Sequence, residues 1–210
     1  MSEGGTAGEK QAASDEGLDA VKSSRVTSLE EYFELGYKIK DPQVVDLLMP
    51  KLREELISMS PVQKQTDAGE RTKIRAILVI GDEDGHVGFG VGKAAQVSEA
   101  IGKASRRAKL SSIAVRRGCG SWECKCGQLH SVPFKISGKT GSVRVDLIPA
   151  PKGLGLVASE ATKVMLKLAG IRDVWSRTSG STATPVSTVM ATFDALRKTY
   201  MTTTQSDWGA

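Results

Sequence analysis

The sequence predicts an α+β chain built from two units in series, a βββα unit followed by a ββαβα two-layer sandwich. Three observations carry that reading. Alternating, β-prone runs recur in two groups, Ile74–Ile80 with Val87–Val91, then Val132–Ile136 with Val143–Leu147. Each group leads into apolar residues at helical spacing, over Val97–Leu110 in the first and over Ala161–Leu168 and Val186–Leu196 in the second. A basic, cysteine-rich linker, residues 116–130, separates them. The chain has 210 residues, 40% of them hydrophobic, which suffices for such cores. No run approaches the ~18 apolar residues of a membrane span.

Residues 1–28 are predicted to be a disordered arm, because Met1 to Ser24 is polar and rich in Gly, Ser and Ala. The arm lacks the apolar stretch of a secretory signal. Residues 29–57 are predicted to be a helical appendage. Val44, Leu47, Leu48, Leu52 and Leu56 fall at helical spacing, and Pro50 splits the segment into two short elements. The first unit, residues 58–115, starts with a strand over Met59–Gln65 and a polar turn at Asp67-Ala68-Gly69-Glu70. Ile74–Ile80 returns, and Asp84-Gly85 is a tight-turn dipeptide. Val87, Phe89 and Val91 then alternate with Gly88, Gly90 and Gly92. One face of that strand therefore has no side chains, and another surface or a sugar–phosphate backbone can approach it closely. The helix that follows places Val97, Ile101, Ala104 and Ala108 on one face and Lys103, Arg106 and Arg107 on another. This order is the pattern of double-stranded-RNA-binding modules, which read RNA by shape through phosphates and 2′-hydroxyls.

The second unit, residues 131–200, begins with Val132, Phe134 and Ile136, turns at Gly138-Lys139-Thr140-Gly141 and returns through Val143, Val145 and Leu147. The loop from Ala150 to Gly155 precedes a helix that Ser159 can cap and Gly170 can stop. Ile171–Thr178 is predicted to be a strand. Thr184-Pro185 opens a last helix that buries Val186, Val189, Met190, Phe193 and Leu196. Residues 201–210 are a tail.

Charge is distributed unevenly. Residues 1–60 hold 7 Lys/Arg against 12 Asp/Glu, and residues 61–210 hold 22 against 12. The excess peaks between Gly85 and Gly120, where seven cations face one acid, Glu99. Such a surface attracts polyanions and releases their counterions on binding. The expected contacts to a nucleic-acid phosphate backbone are Lys64, Arg71, Lys73, Arg75, Lys93, Lys103, Arg106, Arg107, Lys109, Arg116, Arg117, Lys139, Arg144 and Lys152. Nucleotide-enzyme motifs fail: a phosphate-binding loop ending at Gly92-Lys93 needs Gly where Val87 stands and Ser or Thr where Ala94 stands. His86 reads as a turn residue, and Asp82, Glu83 and Asp84 as a solvated turn. No catalytic constellation is visible, so the chain is not expected to be an enzyme. Cys119, Cys124, Cys126 and His130 follow C-x4-C-x-C-x3-H. They could close a structural zinc site or remain three reduced thiols of a cytosolic protein. No cofactor is expected to be required.

The stretches Pro61–Thr66, Ile80–Gly90, Val115–Gly118, Gly141–Arg144, Leu147–Gly153, Leu168–Ile171 and Ala191–Leu196, in order, resemble the small-subunit ribosomal protein S-five family. The N-terminal appendage and the Cys119–Cys124 loop are similar to archaeal members. The resemblance implies a cytoplasmic protein of the ribosome that binds 16S-type rRNA near the decoding region and the channel by which messenger RNA enters. It further implies neighbours of the S-four and S-eight families and an influence on translational accuracy. Carried over by position, Thr66–Lys73 and Gly88–Lys93 are RNA-approaching segments. Lys152, Gly153, Leu154 and Gly155, with Lys163 on the next helix, match the face toward the S-four partner. A free-standing RNA-binding regulator is the alternative, and it would sediment away from ribosomes.

Overall fold

The computed structural model describes residues 28–124 and 126–201, together with Val21 and Val26. Of the predicted tail at 201–210 only Met201 is described, ending a 3-10 turn over Lys198–Met201; the rest of it and nearly all of the predicted arm lie outside the described residues. Val21, Val26 and Ser28 are the exceptions in the arm, and Val26 is buried against Tyr32 and Val44 in a small N-terminal core. That core is built on two short helices, α1 (Leu29–Glu34) and α2 (Pro42–Leu48). Ser28 starts α1 with a reciprocal capping box, its hydroxyl accepting from Glu31 N and its own N–H donating to the Glu31 carboxylate. Leu29, Val45 and Met49 are buried beneath them.

The first sheet runs in the order β1 (Arg53–Thr66), β2 (Gly69–Gly81), β3 (His86–Ala94), β4 (Ile113–Ala114), antiparallel throughout, with α3 (Val97–Leu110) across one face. β1 starts six residues before the predicted strand, so residues 53–57 belong to the sheet and not to a helical appendage. Leu56 matched a helical spacing by coincidence. It pairs with Leu78, and an irregularity between Leu56 and Ser58 breaks the alternation that would have shown a strand. Both strands of the first hairpin run beyond their predicted bounds, Met59–Gln65 and Ile74–Ile80, and the two-residue strand β4 was not foreseen.

The glycine face of β3 is covered by the protein itself. A Cβ on Gly90 would overlap the carbonyl oxygen of Ala104 and stand 2.6 Å from Ala108 N; Gly88 and Gly92 meet α3 in the same way. The RNA-approaching role expected of this strand therefore cannot be played by its glycine face. Close approach also decides which helix face is buried. Ala100, Ala104 and Ala108 lie against the strand, whereas Val97, predicted to be core, is exposed.

The second sheet has the order β5 (Ile136–Thr140), β6 (Val143–Pro149), β8 (Val174–Ser179), β7 (Leu156–Val157), with β7 parallel to β8 and the rest antiparallel. The helices are α4 (Glu160–Leu168) and α5 (Pro185–Arg197). Gly138, read as a turn, is a strand residue. A Cβ there would lie 2.5 Å from Ala195 N, so glycine again seats a helix on a sheet. Val132 and Phe134 consequently precede the strand instead of forming it. β8 starts at Val174, three residues later than predicted, and Met190 of α5 faces outward while Thr188, Ala191, Thr192 and Ala195 are buried. Ser159 occupies the N-cap of α4 without the expected bond to backbone, its hydroxyl donating to Thr162 Oγ1 at 2.9 Å.

The two units share one core. Val79 and Val87 of the first sheet and Val115 of the connection belong to the same buried cluster as Val145, Leu147, Met165, Leu168 and Leu196. Phe89 meets Phe193 with ring centroids 6.2 Å apart.

Candidate nucleic-acid interface

Residues opposite each other in a ladder share a face. Lys64 stands opposite Arg71 and Val62 opposite Lys73 across β1–β2, and Arg75 stands opposite Lys93 across β2–β3. Five cations from three strands therefore share one face of the projecting hairpin. Nearer its base the same face carries Val79, Val87 and Phe89, which enter the shared core. The face turns from apolar to cationic where the second unit no longer covers it. Lys64, Arg71, Lys73 and Lys93 are exposed and line a shallow cleft of about 330 Å³ with Val62 and Thr66. Among the described residues no carboxylate is ion-paired with any of the five. Arg75 is half-buried, donates from Nη2 to Ser60 Oγ at 3.1 Å, and holds its Nε without an acceptor among the described residues. Uncompensated guanidinium and ammonium donors aimed outward are what a phosphate backbone requires.

The cations of α3 lie across the opposite face of the sheet and have mixed employment. Lys103 reaches Glu99 one turn away at 3.5 Å, and Arg107 donates to Val91 O at 2.6 Å. Lys109 is committed inward, ion-paired to Asp46 at 2.6 Å, and so fastens the N-terminal helices to α3. Arg106 is exposed. At the junction the Arg116 backbone N–H donates to Thr199 Oγ1 at 3.0 Å. Arg117 is mostly buried and donates to the Asp84 carbonyl at 2.7 Å and to its carboxylate at 2.9 Å, bracing the β2–β3 turn. In the second sheet Lys139 and Arg144 are opposite one another and exposed. Arg177, opposite Asp146, joins their outward face. Sequence reasoning missed Arg177, although strict alternation along Val174–Ser179 would have placed it there.

The β2–β3 turn is held by Asp82. Its carboxylate accepts from Asp84 N at 2.8 Å, His86 N at 3.0 Å and His86 Nδ1 at 2.6 Å. Burial works to raise the Asp82 carboxyl, but the His86 and backbone donors outweigh it and leave it below its ordinary value. The triplet Asp82-Glu83-Asp84 is thus a structural turn, not a purely solvated one.

The cysteine loop folds back on itself. The ligand atoms of Cys119, Cys124, Cys126 and His130 all lie within 4.8 Å of one another. Cys119 and Cys126 sulfurs are 3.6 Å apart, and Cys124 Sγ is 3.7 Å from His130 Nε2. The backbone N–H of Lys152 is the chief cause that lowers the Cys124 thiol to about 6, whereas burial pushes the Cys119 thiol up. Lys152 Nζ donates to Gln128 Oε1 at 2.8 Å, which ties the predicted partner-facing loop, with Gly153, Leu154 and Gly155, to the cysteine loop. Lys163 is exposed on α4.

Comparison with known proteins accounts for both units. Residues 52–116 match the family model for the N-terminal domain of ribosomal protein S5, and residues 138–206 match that for its C-terminal domain. The chain is 53% identical over 180 residues to the small ribosomal subunit protein uS5 of Pyrobaculum aerophilum, covering 86% of this chain and 83% of that one. It is 52% identical over 188 residues to the uS5 of Sulfurisphaera tokodaii, covering 90% and 88%, and 54% identical over 189 residues to that of Hyperthermus butylicus, covering 90% and 89%. These relatives are archaeal, in keeping with the loop and appendage that suggested it. With both domains matched in order and half of the residues identical over most of its length, the chain belongs to the ribosomal protein S5 family.

Proposed function

We propose that this chain, a small-subunit ribosomal protein by family, grips folded 16S-type rRNA through the cationic end of its first sheet and holds the RNA in shape without chemistry. The observation that carries this reading is the group Lys64, Arg71, Lys73, Arg75 and Lys93, gathered on one face with no carboxylate pairing any of them among the described residues. A cluster of uncompensated cations on one face concentrates polyanions at it and speeds their association. Arg106 on α3 and the Lys139, Arg144 and Arg177 face of the second sheet extend the footprint. Arg117 braces the β2–β3 turn at the junction through Asp84, Lys109 fastens the N-terminal helices to α3 through Asp46, and Lys103 contributes at the margin. Family membership supports placement in the cytoplasmic ribosome near the decoding region and the path of messenger RNA. It likewise supports contacts with S-four and S-eight family neighbours, with the loop at Lys152-Gly153-Leu154-Gly155 and Lys163 facing the former and bearing on accuracy.

The test is the salt dependence of binding to small-subunit rRNA fragments. Each neutralised duplex phosphate adds about −0.9 to the slope of log K against log salt. Replacing Arg71 and Lys73 together by Ala should flatten that slope by about 2 and weaken binding at low salt. An affinity independent of salt, or an unchanged slope in the double variant, overturns the assignment of this face.

A further inference from the structure

Anchoring RNA leaves the cysteine loop unexplained. We infer that Cys119, Cys124, Cys126 and His130 hold one Zn²⁺ in a closed tetrahedral site that fastens the linker to the second unit. The separations suit the ion. With Zn–S distances of ~2.3 Å, the edges of a tetrahedron are ~3.8 Å long. The Cys119–Cys126 and Cys124–His130 separations are 3.6 and 3.7 Å, and all four donors fit within 4.8 Å of one another. Bonded sulfurs would stand ~2.05 Å apart, so the loop is shaped for coordination and not for a disulfide.

The surroundings complete the site. His130 and Asp173 are both buried, and His130 Nδ1 lies 2.9 Å from Asp173 Oδ2. A carboxylate there fixes the proton on Nδ1 and turns the Nε2 lone pair toward the cysteines, the arrangement that supports metal-bound histidine. Asp173 Oδ1 in turn accepts from Gly153 N at 3.1 Å and Gly155 N at 2.8 Å. The His130 carbonyl accepts from Arg172 N and Asp173 N, and Gly118 and Ser131 exchange backbone hydrogen bonds that close the base of the loop. Soft thiolates select zinc over magnesium or calcium. Four protein donors leave no open position, so the ion is structural. It would set the conformation of residues 152–155 through His130 and, behind it, Asp173, whose carboxylate bonds that loop directly.

The experiment uses the full chain purified under reducing conditions. Mass-spectrometric metal analysis should find one zinc per chain, released by a thiol-blocking mercurial. The chelator-stripped chain titrated with Co²⁺ should show the intense visible bands of a tetrahedral thiolate site. Cys126→Ser should abolish those bands. Asp173→Asn, which keeps all four donors, should retain them while weakening cobalt affinity by about 10–100-fold. If Cys126→Ser does not fold, the stripped wild type and Asp173→Asn still decide. Zinc content equal to the buffer, an octahedral cobalt spectrum, a Cys119–Cys126 disulfide in the reduced preparation, or unchanged affinity in Asp173→Asn each overturns the assignment.

Discussion

Two glycine-to-alanine substitutions twelve residues apart should move stability in opposite directions. Gly90 faces α3, and an added Cβ would overlap the Ala104 carbonyl and come within 2.6 Å of Ala108 N and 3.0 Å of Ala108 Cβ. Two of these three neighbours are backbone atoms and cannot rotate away, so the helix itself must lift from the sheet. Overpacking of this kind costs typically 1–3 kcal/mol. Lifting α3 also loosens Ala100, Ala104 and Ala108, each of which is fully buried. The upper end, about 3 kcal/mol, is therefore expected for Gly90→Ala. Gly102 lies in the same helix with nothing within 4 Å of the position a Cβ would take. There alanine only improves helix propensity, so Gly102→Ala should stabilise by about 0.8–1 kcal/mol. Urea unfolding reads both as shifts of midpoint at unchanged slope. In a chain of this size the first substitution corresponds to a melting temperature lower by about 6–12 °C. A Gly90→Ala midpoint equal to that of the wild type would refute the claim that the glycine face exists to seat α3.

The remaining expectations concern the turn at Asp82 and the shared core. Because the Asp82 carboxyl lies below its ordinary value in the folded state, its ionised form stabilises the fold above the unfolded-state pKa, ~3.9, and that contribution is lost as pH falls through the folded value. Asp82→Asn should consequently be less stable than wild type above about pH 5, the gap closing below pH ~4 in acid titrations followed by circular dichroism. A gap that widens toward acid would contradict this sign. Met165 is fully buried in the core common to both units. Met165→Ala should cost about 2–5 kcal/mol and keep a single calorimetric transition, because one buried cluster packs both sheets and neither unit keeps a complete core without the other. Two resolved transitions would show that the units unfold separately.

The limits of sequence reading are physical. The bounds of α3 were legible because Val97–Leu110 is strongly periodic, and Asp84-Gly85 announced its turn because few dipeptides tolerate that backbone. The start of β1 was not legible, since an irregularity after Leu56 destroys period two and leaves a spacing that helices share. The candidate cations were legible only as residue types: Lys109 and Arg117 spend their charge on Asp46 and Asp84, carboxylates 63 and 33 residues away in the chain. Composition cannot show such pairings.

By itself the order of residues determined the class of the fold, the close spacing of Cys119, Cys124, Cys126 and His130 and the basic character of the second half, because these depend on local periodicity, spacing and count. Only the tertiary structure decided what covers the glycine strand, which cations remain unpaired and share a face, and that Asp173 stands behind His130. Each of these depends on the ladder register and on contacts between distant segments, where a shift of one residue would send every side chain to the other side of the sheet.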